Sequence, residues 1–190
     1  MSAVAKFVWM PPSSGENRFV EAVDAAKRAD AVVMVLGISS KLEGEEMYVT
    51  KAGFKGGDRT SIDLPERQQR LLEAVAATGK PIVVVLLSGT ALAVNWAADH
   101  AILQAWYPGD EDGTAVADVL FGDYNPGRLP VTFYKSLDQL PPFKSYAMGG
   151  PTSTARASRS TCSASASVTP SSHTRSSSCQ RQWPPAPRLS

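Results

Sequence analysis

The residues of this sequence that could do chemistry are concentrated in one segment, residues 37–61, which holds three carboxylates within four positions. They are Glu43, Glu45 and Glu46. Carboxylates this close repel one another, and the repulsion can raise the pKa of one of them into the range that suits a general acid. Residue types alone are more typical of a solvated acidic loop, because glutamates lie mostly on protein surfaces. Both interpretations stay open at this point.

A glycine-rich turn with the sequence Gly-Gly-Asp-Arg, residues 56–59, follows the carboxylates in the same segment. Such turns can cradle phosphate, but the spacing of a P-loop and its lysine are missing. Asp58 next to Arg59 is more often a turn-stabilising pair than a sugar contact. The segment lacks helical or strand periodicity, and long loops of this kind are often functional. We therefore expect the functional site here.

Other residues that could react lack the partners that their reactions require. Ser88 follows a strand-like run, but the sequence around it does not form a nucleophile elbow. His100 has no cysteine or second histidine at ligand spacing, so a surface or capping role is expected rather than metal binding. The sequence therefore predicts no metal and no cofactor.

Alternating helical and strand patterns surround the long segment. They predict helices over residues 16–28, 65–78 and 114–121, and strands over residues 31–36, 82–87, 101–106 and 129–133. Asp63 is the expected cap of the second helix, and Gly79 and Gly122 are the expected ends of the second and third. This alternation indicates an α/β fold, with a mostly parallel sheet and helices on both faces, as in a flavodoxin-like sandwich. Ligands of such folds bind at the carboxyl ends of strands.

The composition excludes several classes of partner. The chain has 190 residues, a formal net charge of +1 and 43% hydrophobic residues, which fits one soluble domain. The near-zero charge indicates no nucleic-acid partner, and no apolar run is long enough to predict a membrane span. The first residues do not form a signal-peptide pattern, so the localisation is unknown, and a periplasmic or secreted location stays open. Cys162 and Cys179 lie late in the chain and predict no disulfide framework in its body.

Several short motifs occur in an order that resembles the C-terminal domain of glycoside hydrolase family 3. They include Leu-Glu-Gly-Glu-Glu at 42–46, Gly-Gly-Asp-Arg-Thr at 56–60, Asp-Leu-Pro at 63–65, Ala-Trp-Tyr-Pro-Gly at 105–109 and the block from 117 to 133, which begins Ala-Asp-Val-Leu-Phe-Gly-Asp-Tyr-Asn-Pro. The resemblance covers residues 17–150. One departure is the Asn-Pro-Gly-Arg turn at 125–128, which in the family often has a serine before its glycine.

The resemblance implies part of a retaining, exo-acting β-glycosidase that hydrolyses terminal β-D-glucosyl or β-D-xylosyl residues. Its substrate would be a β-linked oligosaccharide or an aryl glycoside. The family's nucleophile is an aspartate on an N-terminal TIM barrel, which this chain lacks, so the chain alone is expected to be inactive. The family pattern places the acid/base role on Glu45, with Glu46 as the close alternative and Glu43 as a weaker one. Asp58 and Arg59 match residues expected to bind substrate or order the loop.

The last part of the chain, residues 151–190, differs from the rest because serine, threonine, alanine, arginine and proline dominate it. Such a segment buries too little apolar surface to offset its ordering entropy, so we predict a disordered tail. Family members carry an aromatic-rich stretch here, and a shifted reading frame of residues 151–170 permits one. The predicted domains are an N-terminal extension (1–16), the family 3 domain (17–150) and a frameshifted tail (151–190). A genuine serine-rich linker is the alternative for the tail.

Two other functions compete with the glycosidase interpretation. A non-catalytic α/β module could bind a sugar or phosphate through residues 37–60. The chain could also be a decayed translation product without activity, which would be unfolded and sensitive to proteases.

Overall fold

The structure is a computed structural model, and it describes residues 17–43, 46–93, 100–142, 144 and 164–165. In chain order its elements are α1 (Asn17–Arg28), β1 (Val32–Gly37), β2 (Phe54–Lys55), β3 (Asp58–Arg59), α2 (Glu66–Ala76), β4 (Ile82–Leu87), β5 (Ala101–Gln104), α3 (Asp112–Phe121) and β6 (Ala164–Ser165), with a 3-10 turn at Leu137–Gln139.

A parallel sheet forms the centre of the described chain, in the order β1-β4-β5-β6. β1 and β4 pair along their whole length, from Val32 opposite Ile82 to Gly37 opposite Leu87. β5 continues the sheet in parallel, with Val83 opposite Ala101. β2 and β3 form a separate two-stranded antiparallel hairpin within the segment after β1. The predicted α/β fold with a parallel sheet is confirmed.

Helices cover both faces of this sheet, because side chains along a strand point alternately to opposite faces. On one face the core contains Met34 and Leu36 of β1 with Leu72 and Val75 of α2. On the other face Val116 and Val119 of α3 pack against a smaller cluster from β4 and β5. Leu72 is fully buried, and burying a leucine side chain contributes about 1.5–3 kcal/mol.

The turns at the ends of the helices follow the glycine pattern. Gly122 caps α3 in the left-handed conformation, with a φ of 84°, and Gly79 follows α2 with a φ of 71°. The prediction that Asp63 caps the second helix is wrong. Pro65 occupies the cap position of α2, while Asp63 forms a bridge with Ala93 and accepts a hydrogen bond from the Ser61 hydroxyl.

Two strand predictions differ from the structure. Residues 129–133 form no strand, because Pro130 lacks an N–H for a ladder and Val131 lies half exposed instead of in a core. The strand predicted over 101–106 ends at Gln104, and Trp106 adopts a φ of 60°, which is incompatible with extended backbone. Both runs were short, so periodicity could not fix their type or their ends.

Only Ala164–Ser165 of the predicted tail lie within the described residues. They pair in parallel with Leu103 and Gln104 of β5. The rest of residues 151–190, and the predicted extension 1–16, lie outside the described part of the chain.

Candidate functional site

The acidic segment leaves the sheet at Gly37, the last residue of β1. Gly37 has a φ of 141°, and a Cβ atom there would lie 1.8 Å from the Leu87 carbonyl oxygen, so only glycine fits. The Gln68 side chain from α2 accepts a hydrogen bond from the Gly37 N–H at 2.7 Å and donates one to its carbonyl at 2.6 Å. The backbone conformation of Gly37 is therefore fixed where the chain leaves the carboxyl edge of the sheet.

Glu43 binds the loops that follow two neighbouring strands of the sheet. Its Oε2 atom accepts hydrogen bonds from the Gly89 N–H at 3.1 Å and from the Tyr107 hydroxyl at 2.5 Å. Its Oε1 atom accepts a hydrogen bond from the Thr90 hydroxyl at 2.5 Å. Gly89 and Thr90 follow β4, and Tyr107 follows β5. Because parallel strands end at the same edge, one carboxylate can reach both loops.

These contacts move the pKa values of the groups that take part. Partial burial by itself would raise the pKa of Glu43, but the hydrogen bonds from Thr90, Tyr107 and the Gly89 amide, together with the charge of Arg59, lower it overall. Burial, with the hydrogen bond to the carboxylate and its charge, raises the pKa of Tyr107 to about 12. Glu43 is therefore ionised at neutral pH, and the Tyr107 hydroxyl keeps its proton as a donor.

Arg59 binds the same loop from the β2–β3 hairpin. Its Nη1 atom donates to the Thr90 hydroxyl at 2.7 Å and to the Ala91 carbonyl at 3.2 Å. Its Nε atom donates to the Ser61 carbonyl at 3.0 Å. Burial lowers the pKa of Arg59, while the charges of Glu43 and Asp63 oppose that effect. Thr90 thus accepts a hydrogen bond from Arg59 and donates one to Glu43.

Two buried polar side chains, Ser88 and Gln104, stabilise the loop after β4. The Ser88 hydroxyl donates to the Thr90 carbonyl at 2.7 Å, and its N–H donates to the Trp106 carbonyl at 3.1 Å. Gln104, which is fully buried, donates to the Ser88 hydroxyl at 3.1 Å. Ser88 is therefore a structural hydroxyl, in agreement with the missing nucleophile elbow.

A cleft of about 450 Å³ lies beside the hairpin, between β2, β3 and the start of α2. Its lining combines charged, polar and apolar side chains, among them Arg59, Asp63, Glu66, Gln69 and Phe54. The cleft shares Arg59 with the network around Glu43.

The residues predicted for the site are only partly brought together. Glu45 lies outside the described residues. Glu46 is exposed, with a φ of 52°, and Asp58 is exposed in the hairpin. Glu43, the weaker candidate, accepts three hydrogen bonds, and it lies in one network with Arg59 through Thr90.

Sequence reasoning missed Thr90 and Tyr107 as members of this network. It included Tyr107 only in the Ala-Trp-Tyr-Pro-Gly motif at 105–109. A usable signal did exist, because both residues follow buried parallel strands, and residues at that edge converge. No group of three or more metal-ligating side chains occurs among the described residues. Within that part of the chain, no helix is long and apolar enough to cross a membrane.

An α/β domain of this kind, with an acidic segment attached across the carboxyl edge of its sheet, matches a known family. Residues 3–167 match the Glycosyl hydrolase family 3 C-terminal domain. The chain belongs to glycoside hydrolase family 3, as a C-terminal domain of that family. The family resemblance read from the motifs is confirmed.

Similar proteins carry glycosidase names. The chain is 53% identical over 137 residues to the xylan 1,4-beta-xylosidase of Xylanibacter ruminicola, covering 70% of this chain and 16% of that protein. It is 44% identical over 143 residues to the periplasmic beta-glucosidase of Salmonella typhimurium, covering 73% and 17%. The chain therefore spans about one sixth of the length of these relatives.

Solved structures show the same similarity. A GH3 beta-glucosidase from Bifidobacterium adolescentis matches with a TM-score of 0.59 and 36% identity, over 74% of this chain and 20% of that one. A beta-glucosidase from Kluyveromyces marxianus, in complex with glucose, matches with a TM-score of 0.56 and 32% identity, over 68% and 15%.

Proposed function

We propose that this chain supplies the acid/base segment of a retaining, exo-acting β-glycosidase that removes terminal β-D-xylosyl or β-D-glucosyl residues. Family membership carries this proposal, and the names of the two relatives above support the choice of sugars. Retaining hydrolysis requires two carboxyl groups about 5–5.5 Å apart, one as nucleophile and one as acid/base. In this proposal the nucleophile comes from a barrel domain outside the chain.

Glu45 is the proposed acid/base, and Glu46 is the alternative. Glu43 is the weakest candidate of the three, since its carboxylate already accepts three hydrogen bonds and its pKa is lowered, whereas a general acid must hold a proton near neutral pH. We assign loop ordering to Arg59 through its contacts with residues 89–91. For Asp58, which is exposed, we propose a role in binding the substrate.

The exposed apolar surface of β1 supports a role as part of a larger polypeptide. Val33 and Val35 are 51% and 57% exposed on an edge strand, on the face opposite α1 and α2. An uncovered apolar edge of this kind favours association or aggregation. We propose separately that the chain does not turn over glycosides by itself, because the nucleophile of the retaining reaction would come from another domain.

A chimera tests the proposed function. Residues 17–142 would replace the matched segment of the Xylanibacter ruminicola xylosidase, and aryl β-xyloside and β-glucoside hydrolysis would be measured. We expect hydrolysis by the chimera and none by the 190-residue chain. A chimera that folds, as judged by its thermal unfolding, but hydrolyses neither substrate would contradict the proposal.

A second proposal concerns residues 151–190, which we interpret as translated in a shifted frame. The family match ends at residue 167, inside this segment. Sequencing the coding DNA decides the matter. Codons that permit the aromatic-rich stretch one base out of register support the frameshift, and codons that forbid it leave a genuine serine-rich linker.

The competing module hypothesis predicts sugar or phosphate binding by the chain alone. Arg59 beside the cleft is the observation that favours it. Calorimetric titration of the 190-residue chain with xylose, glucose and inorganic phosphate checks it, and heat of binding at millimolar concentrations would favour the module.

A further inference from the structure

The segment between β1 and α2 is attached near both of its ends to one short loop, residues 89–91. Near its start, Glu43 accepts hydrogen bonds from the Gly89 N–H and the Thr90 hydroxyl. Near its end, Arg59 donates to the Thr90 hydroxyl and the Ala91 carbonyl. The two charged side chains thus meet at Thr90, whose hydroxyl bonds to both of them.

This double attachment has a physical consequence for the residues between. A segment of this length loses much conformational entropy when it is held in place. Among its described residues, the short β2–β3 hairpin is the only regular structure. Hydrogen bonds to charged groups are among the strongest that a protein forms. Contacts at Glu43 and Arg59 therefore shorten the stretch of chain that is free to move.

We propose that Glu43 is a positioning residue which, with Arg59, fastens residues 38–61 to loop 89–91, and that it is not the proton donor. The attachment stands independently of the proposed function. The purpose of the attachment does rest on the proposed function. That purpose is to hold the start of the acidic segment in place for Glu45, the proposed acid/base.

The charges around Glu43 favour this role. The positive charge of Arg59 acts on Glu43, the Tyr107 hydroxyl donates a hydrogen bond to the Glu43 carboxylate, and the charge of Asp63 also acts on Arg59. With three hydrogen-bond donors and the charge of Arg59 acting on it, the carboxylate stays ionised. It therefore keeps accepting all three hydrogen bonds through the neutral range.

Hydrogen exchange of the 190-residue chain tests the attachment. In Glu43→Ala we expect the amides of residues 38–61 to exchange about 10-fold faster, while those of β4 are unchanged. Glu73→Ala is the matched control, since its carboxylate accepts one exposed hydrogen bond from Gln69. Unchanged exchange of residues 38–61 in a folded Glu43→Ala variant would overturn the proposal.

A spectroscopic signature adds a readout that does not require Glu43→Ala to fold. We expect Tyr107 to titrate near pH 12 by ultraviolet absorbance, so that this titration is missing in Tyr107→Phe but present in Tyr124→Phe. If Tyr107 titrates at its ordinary pKa of 10.0 instead, its hydroxyl is not held against the Glu43 carboxylate, which contradicts the geometry that carries the proposal. Neither experiment measures glycoside hydrolysis, so their outcome is separate from that of the chimera.

Discussion

At the scale of single residues, the Glu43–Tyr107 hydrogen bond links stability to alkaline pH. Tyr107 has an ordinary pKa of 10.0 and a folded-state pKa of about 12. A pKa that folding raises contributes stability below the unfolded value, and that contribution is lost as the pH rises through the folded one. The bond therefore stabilises the fold below pH 10, and its contribution disappears between pH 10 and about 12.

Urea unfolding at several pH values measures this linkage. We expect the wild-type chain to lose more stability than Tyr107→Phe between pH 9 and pH 11.5, because the variant has no phenol at that position. Tyr124→Phe serves as the control and should follow the wild type. If the stability of the wild-type chain and of Tyr107→Phe falls equally with rising pH, the pKa of Tyr107 is the same in the folded and the unfolded chain.

Gly89 offers a second residue-scale prediction, since a side chain there would meet both Glu43 and Tyr107. A Cβ atom at Gly89 would lie 2.9 Å from a Tyr107 ring carbon and 3.1 Å from a Glu43 carboxylate oxygen. Gly89→Ala should push these side chains apart and destabilise the chain by about 1 kcal/mol.

The matched control for that substitution is Gly109→Ala, because a Cβ atom there meets nothing within 4 Å. Urea unfolding of both variants at pH 7 provides the comparison. Equal stabilities of the two variants would show that Glu43 and Tyr107 do not approach Gly89 as closely as described.

At the scale of elements, α2 determines how the chain leaves β1, through the two hydrogen bonds between Gln68 and Gly37. Gln68→Ala leaves an N–H and a carbonyl without these partners, and we expect a loss of about 2 kcal/mol in the free energy of unfolding. Gln69→Ala, which removes only an exposed bond to Glu73, should change stability little. An equal loss in both variants would contradict this role for Gln68.

The elements also show how far sequence reasoning reaches. The buried apolar run Ile82–Leu87 was predicted with its correct limits, because it is short, mostly β-branched and preceded by Gly79 and Pro81, which favours a strand covered on both faces. The β2–β3 hairpin escaped prediction, because two-residue strands leave no periodicity to detect. Thr90 and Tyr107 were missed for a different reason. That both residues follow predicted strands was a usable signal, but their meeting at Glu43 depends on β4 and β5 being neighbours in the sheet, which the local sequence does not display.

At the scale of the whole molecule, the described part of the chain is a folded sheet whose edge strand β1 exposes Val33 and Val35 on one face. The chain spans about one sixth of the length of relatives that are named as glycosidases. For this reason we expect glycoside hydrolysis only when a barrel domain is also present. The order of the motifs identified the family correctly from the sequence, because chance does not place so many short motifs in the same order. The assignment of the acid/base among Glu43, Glu45 and Glu46 is not decided by fold, because all three belong to one segment.

We propose that Glu45 is the proton donor and that Glu43 fastens residues 38–61 to loop 89–91. Azide rescue in the chimera separates these two roles, since azide can replace the water that a missing acid/base would activate. With an activated aryl glycoside, we predict that azide restores activity to Glu45→Ala and yields a β-glycosyl azide, while Glu43→Ala is impaired but not rescued. Glu46→Ala, the matched control, should stay close to the parent chimera. Rescue of Glu43→Ala or Glu46→Ala, without rescue of Glu45→Ala, would contradict the account.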